Sequence, residues 1–235
     1  MLSFVGWINA ITATIVLVSG AIFGVFCIYK SKTKHARLLI YLGIAAICAG
    51  LGFLGPFCDF LSILFTGKNL DNSYGQISKL SFFWLPITVT TALYLGSQLL
   101  IPSKKWYILG LFTILGILFE IFIFFDPNSF SFVYPDKSGE DLIDDSVNFF
   151  SPAGILTLIF AISALILLGF GFLYQGLQLE GKPRHRFFSI SIGMFMYIVF
   201  AALDGLTTPG LGLIIVRIPQ MVGFWLMYYG LKERG

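Results

Sequence analysis

The stretch GLGLIIVRIPQMVGFWLMYYGLKERG, residues 210–235, decides how the chain is read. Its residues 211–231 are apolar enough and long enough to fill a bilayer core of about 30 Å. Arg217 nevertheless stands inside them. A charge at such depth is costly in lipid, so it is expected to face the interior of a helix bundle and to pair there.

The rest of the chain repeats this kind of segment. Of 235 residues, 57% are hydrophobic and 11% are charged, and the mean hydropathy is +0.88. A soluble domain carries about 25% charged residues, so a soluble globular chain is excluded. Spans of roughly 20 apolar residues can be placed at about 4–29, 38–65, 80–101, 106–125, 152–178, 187–206 and 211–231. A single all-α domain of seven transmembrane helices over 1–235 is expected. The N-terminal MLSFVGWINA lacks a basic region and a cleavage site, so the first span reads as retained rather than as a signal peptide. Cys27, Cys48 and Cys58 lack CxxC spacing and read as small buried hydrophobes.

Basic residues give the orientation. Lys30, Lys32, Lys34 and Arg37, then Lys104 and Lys105, then Lys182, Arg184 and Arg186, then Lys232 and Arg234 fall on one side. The other side has Lys68, Lys79 and Lys137. The positive-inside rule places the C-terminus in the cytoplasm and the N-terminus outside. The long outer connector, 126–151, carries an acidic run interrupted by Leu142, Ile143 and Val147. It reads either as a solvated loop resting on the helix ends or as a lid. Gly20, Gly24, Gly50, Gly52 and Gly55 predict close packing of the first two spans. The step from His35 to Gly43 equals that from His185 to Gly193, which suggests a three-plus-one-plus-three repeat.

Arg217 lies about six residues, or about 9 Å, inside the outer end of its span. Asp59, Glu120 and Asp204 lie at similar depths on three other spans. Arg217 is expected to pair with Asp204, Asp59 or both. One positive charge then meets three negative ones. Some carboxyls stay protonated, which burial favours, or the site takes a cation, or water reaches it. Lys79 stands at the edge of this layer as a second positive charge. Pro86 and Pro219 are expected to kink their helices at this level, and Trp84 and Gln220 offer hydrogen bonds there. The expected site is thus Arg217, Asp59, Asp204, Glu120, Lys79, Gln220 and Trp84, an outward-facing pocket for a small ligand or cation.

In span number and orientation the whole chain resembles the seven-helix sensory modules found at the N-termini of some prokaryotic histidine kinases, though it shares no specific motif with them. The resemblance implies a receptor-like sensor in a prokaryotic plasma membrane, with helix movement passed towards the cytoplasm. No output domain is expected after Gly235, so a separate protein partner would dock on the basic loops. Those loops would also attract anionic membrane lipids. The alternative is a small-solute carrier. Seven spans in a three-plus-one-plus-three order are similar to SWEET transporters, and Pro219-Gln220 is similar to their PQ pair, but no PQ stands in the first half. Microbial rhodopsins are similar in helix count and orientation. Their Schiff-base lysine has no counterpart in the last span, so no chromophore or other cofactor is expected. The two histidines, His35 and His185, fall at loop ends, and HExxH is absent. No metal site, enzymatic activity or nucleic-acid partner is expected.

Overall fold

The computed structural model describes residues 2–232. The first helix, α1 (Phe4–Lys34), starts where the Ser3 hydroxyl accepts a hydrogen bond from the Gly6 N–H at 3.0 Å. It ends at His35, which is in the left-handed conformation. Next come α2 (Leu38–Leu51) and α3 (Leu54–Thr66), bent by 46° to one another. The unbroken second span expected from hydropathy is therefore corrected. Pro56 has no N–H to donate to the Gly52 carbonyl, so the helical ladder fails there. Before the break, the Phe53 N–H turns back to the Gly50 carbonyl at 3.0 Å. The Ser81 hydroxyl, from the following span, accepts from the Gly55 N–H at 3.2 Å.

That following span consists of α4 (Gln76–Phe82) and α5 (Leu85–Leu100). Pro86 sits in the first turn of α5, where proline is tolerated, so it opens a helix rather than kinking its interior. Helix α6 (Lys105–Phe125) returns to the first side. After the long connector, α7 (Pro152–Ala164) runs through one wide π turn, Leu165–Phe170, into α8 (Gly171–Leu177). The chain closes with α9 (Gly181–Asp204) and α10 (Gly212–Leu231), the latter with Pro219 inside it. Among the described residues, six of these helical stretches are long and apolar enough to cross a membrane, and the bent pair α2–α3 makes a seventh if taken as one.

Neighbours in sequence are neighbours in space. The contacts run α1–α2, α2–α5, α5–α6, α6–α7, α8–α9 and α9–α10, and α10 returns to α1. Large aromatics fill the middle, among them Phe23, Phe119, Phe160 and Phe224. On the outside of α1, the exposed Ile11, Ile15, Val18, Ile22 and Val25 follow helical spacing. An apolar stripe facing outwards suits lipid rather than water. Trp106 and Tyr107, exposed at the start of α6, suit a membrane interface.

Glycines set the closest helix contacts. A Cβ on Gly20 would come 2.8 Å from the Ala46 carbonyl, and one on Gly24 would come 2.6 Å from that of Gly43. Gly193 and Gly223 lock α9 to α10 in the same way, at 2.6 and 2.7 Å. The expected tight packing of the first two spans is therefore present. The two halves use their matched glycines differently: Gly43 meets the preceding span and Gly193 the following one. Replacing Gly223 by leucine drives a branched side chain into the Gly193 backbone. A loss of about 1–3 kcal/mol or more is expected, read as a lower thermal midpoint in detergent, while Gly110→Leu, at a position open on every side, leaves the midpoint unchanged.

Candidate functional site: a cavity beneath a hairpin

The connector between α6 and α7 folds into a small antiparallel hairpin of β1 (Phe130–Val133) and β2 (Asp144–Val147), with Phe130 opposite Val147 and Val133 opposite Asp144. It is a roof, not a loose loop. Asp59, fully buried on α3, accepts hydrogen bonds from the Ile143 N–H at 2.9 Å, the Leu70 N–H at 2.7 Å and the Asn69 amide at 3.0 Å. The same Asn69 amide donates to the Asp141 carbonyl at 2.8 Å, and its oxygen accepts from the Gly139 N–H at 2.7 Å. At the other end, the Ser3 N–H donates to the Glu140 carbonyl at 2.7 Å, and the Ser3 hydroxyl donates to the Asp141 carboxylate. Leu142 and Ile143 are buried beneath these ties.

Under the roof lies a cavity of about 250 Å³. The broken α2–α3 corner, α5, α7, α9 and α10 form its walls, and β2 forms its ceiling. Arg217 stands in the wall and is only 6% exposed. Its Nε donates to Asp204 Oδ1 at 2.9 Å. Its Nη1 reaches α1, donating to Asn9 Oδ1 at 2.6 Å, the Asn9 carbonyl at 3.1 Å and Thr12 Oγ1 at 3.3 Å. The guanidinium also lies 5.1 Å from the centre of the Phe53 ring, in the bend of the second span.

The ceiling contributes Asp144 and Asp145, and the Ser78 hydroxyl donates to Asp145 Oδ2 at 2.7 Å. Burial pushes the Asp145 carboxyl up to about 6, against the lowering effects of the Ser78 hydrogen bond and of Arg217. Asp144 is also raised to about 6, first by burial and then by the neighbouring Asp145 charge, with Arg217 opposing. Three aspartates thus share the cavity with one arginine, the only cationic residue in its lining among the described residues. Asp204 has that arginine; Asp144 and Asp145 hold the surplus negative charge. Among the described residues, no group of three or more His, Cys, Asp or Glu side chains is arranged to hold a metal ion.

No protein-family model and no curated protein matches the chain. The chemistry of the site therefore rests on its own geometry.

The structure divides the seven expected site residues. Arg217 and Asp204 pair and line the cavity. Asp59 does not pair with Arg217; it ties down the roof instead. Gln220, one turn further along α10 and fully buried, donates from Nε2 to the Phe200 carbonyl at 3.2 Å, while its Oε1 has no partner. Lys79, Trp84 and Glu120 lie outside the cavity. The Lys79 ammonium sits 5.6 Å from the centre of the Phe124 ring, and Trp84 Nε1 and Glu120 Oε2 are buried without partners. Four contributors were missing from the expected set: Asn9, Thr12, Asp144 and Asp145. Asn9 and Thr12 had a sequence signal, two polar groups three residues apart on one face of an apolar helix.

Removing Arg217 leaves the partly buried Asp204 without its partner. Arg217→Ala is expected to cost about 3–5 kcal/mol. Asp204→Asn should couple to it by about 1 kcal/mol or more in a double-mutant cycle, whereas Asp59→Asn, with no partner in common, should add to it within about 0.5 kcal/mol. Thermal unfolding in detergent reads both cycles; coupling of Arg217 to Asp59 as strong as to Asp204 would contradict this assignment.

Proposed function

We propose that this chain is a receptor-like sensor of seven spans in a prokaryotic plasma membrane, binding a small organic cation in the cavity beneath the hairpin. The observation that carries the reading is the charge balance of that cavity. Arg217 is already engaged by Asp204, Asn9 and Thr12, so the cavity keeps two carboxylates with no cation of their own. A bound ammonium supplies that cation. The aromatic rings of Phe53, Phe82, Phe160 and Tyr197 in the lining suit an organic cation, which is drawn to ring faces. The scattered carboxylates favour this over a metal ion, whose ligands must converge on one point.

The orientation is supported by the basic residues opposite the hairpin: Lys30, Lys32 and Lys34 at the end of α1, Lys104 and Lys105 where α6 begins, and Lys182, Arg184 and Arg186 in the first turns of α9. With that side in the cytoplasm, the hairpin faces outwards and a cytoplasmic partner would meet Lys104, Lys105, Lys182, Arg184 and Arg186. Sensing rather than transport is supported by the floor of the cavity. The Tyr197 hydroxyl donates to the Ala49 carbonyl at 2.9 Å, and the Phe224 ring packs below against Tyr197 and Phe23. No histidine lines the cavity and no catalytic step is part of this reading. The carrier alternative draws on one feature: the break in the second span borders the cavity, as discontinuous helices border transporter sites. Uptake of labelled ethylammonium into proteoliposomes would favour the carrier, and saturable binding without uptake favours the sensor.

Proton linkage gives a direct test. The two roof carboxyls titrate near 3.8 when free and near 6 in the fold. The folded state therefore holds more protons between those values, and the stability of the ligand-free protein falls as pH rises across them. Besides Asp204 and Arg217, the titratable groups in the lining are Cys48 and Tyr197. A bound cation favours the ionised carboxyls, so ethylammonium affinity should rise with pH and level off above about 6. Asp145→Asn should weaken it by about tenfold or more. Calorimetric titration that finds affinity independent of pH, or unchanged when Asp144 and Asp145 are both replaced by asparagine, would contradict the proposal.

A further inference from the structure

The roof is tied at several points, yet the cavity reaches the surface. Only three of its lining residues are exposed: Leu158 on α7, and Ala202 and Gly205 at the end of α9. Leu158 and Ala202 border the seam between α7 and α9, and Gly205 caps the outer end of α9. Those two helices barely touch along this stretch, and the contact closes only lower down, where α9 packs on the π turn and α8. There the Ser191 hydroxyl donates to the Gly169 carbonyl at 2.8 Å. The rims of the seam are small residues, Ala161 and Ala164 on one side and Ala201 and Ala202 on the other. Leu158 is six residues past Pro152, about 9 Å along the helix at 1.5 Å per residue. An opening at that depth faces acyl chains rather than water. The widened π turn just below is the kind of distortion that recurs at functional sites.

Given the cationic-ligand reading above, on which this rests, we infer that the ligand is a single-chain amphipath with an ammonium head that reaches the cavity sideways, from the hairpin-side leaflet, between α7 and α9. The two ends of the cavity match such a molecule. Asp144 and Asp145 at the ceiling take the head group. Phe53, Phe82, Val89 and Phe160 line the apolar part and take the first stretch of the chain. The remainder of the chain lies through the seam, along the exposed Leu158, and stays in lipid. Above the cavity, the Asp59, Asn69 and Ser78 ties hold the hairpin in place.

The test compares dodecylammonium with ethylammonium on protein held in lipid nanodiscs, with protein-free nanodiscs as the blank. Wild-type protein should bind dodecylammonium at least tenfold more tightly than ethylammonium. The seam variant Leu158→Trp/Ala202→Trp, altered at two exposed positions, should bind dodecylammonium no more tightly than ethylammonium while keeping the wild-type thermal midpoint, which reports that it has folded. Equal affinity for the two amines, or a seam variant that binds dodecylammonium as wild type does, overturns the lateral route and leaves the cationic site standing. If neither amine binds the wild type, the cationic site and the lateral route fall together.

Discussion

The structure depends on where Arg217 spends its hydrogen bonds. One side chain on α10 reaches α9 through Asp204, α1 through Asn9 and Thr12, and the bend of the second span through the Phe53 ring. It thereby joins the first and last spans and closes the ring of helices on the hairpin side. Such a buried ion pair adds little net stability over apolar packing, but losing one partner is costly. Its more important consequence is electrostatic. Because Asp204 takes the guanidinium, the two aspartates of the roof are left without a cation of their own.

The bundle is tight at one end and open at the other, for identifiable reasons. On the closed side, glycine contacts bring α1 against α2 and α9 against α10, and the Lys30 ammonium donates to the Leu231 carbonyl at the end of the last helix. On the hairpin side, two spans depart from regular geometry. The second breaks after Gly52 and the third between α4 and α5. Gly52, Phe53, Phe82 and Leu85, at or beside these breaks, line the cavity beneath the hairpin that Asp59 holds in place.

Much of this was legible in the sequence. The apolar runs, each about as long as a bilayer is thick, mark the helices because nothing else buries so many Phe, Leu and Ile residues. The Arg217–Asp204 pair was legible because two opposite charges at one depth of adjacent helices have few other solutions. Depth does not say which way a side chain faces, and that is where the reading failed. Asp59 lies at the right level, but the bend at Gly52–Phe53 gives α3 its own direction, and its carboxylate meets loop amides. Glu120 shares the level too, yet it lies on α6, none of whose residues lines the cavity. Asp144 and Asp145 looked like part of a solvated acidic run. Only the pairing of β2 with β1, a contact between residues more than ten apart, turns them into a ceiling.

The central claim is that the roof holds negative charge the protein does not neutralise. Infrared titration of the ligand-free protein in nanodiscs tests it most directly, through the absorption of protonated carboxyl groups. The account predicts that the difference between wild type and the Asp144→Asn/Asp145→Asn variant, which cancels every other carboxyl, is a signal that disappears as pH passes about 6. A difference that stays flat between about pH 5 and about pH 7, outside the range of an ordinary aspartate, would contradict it.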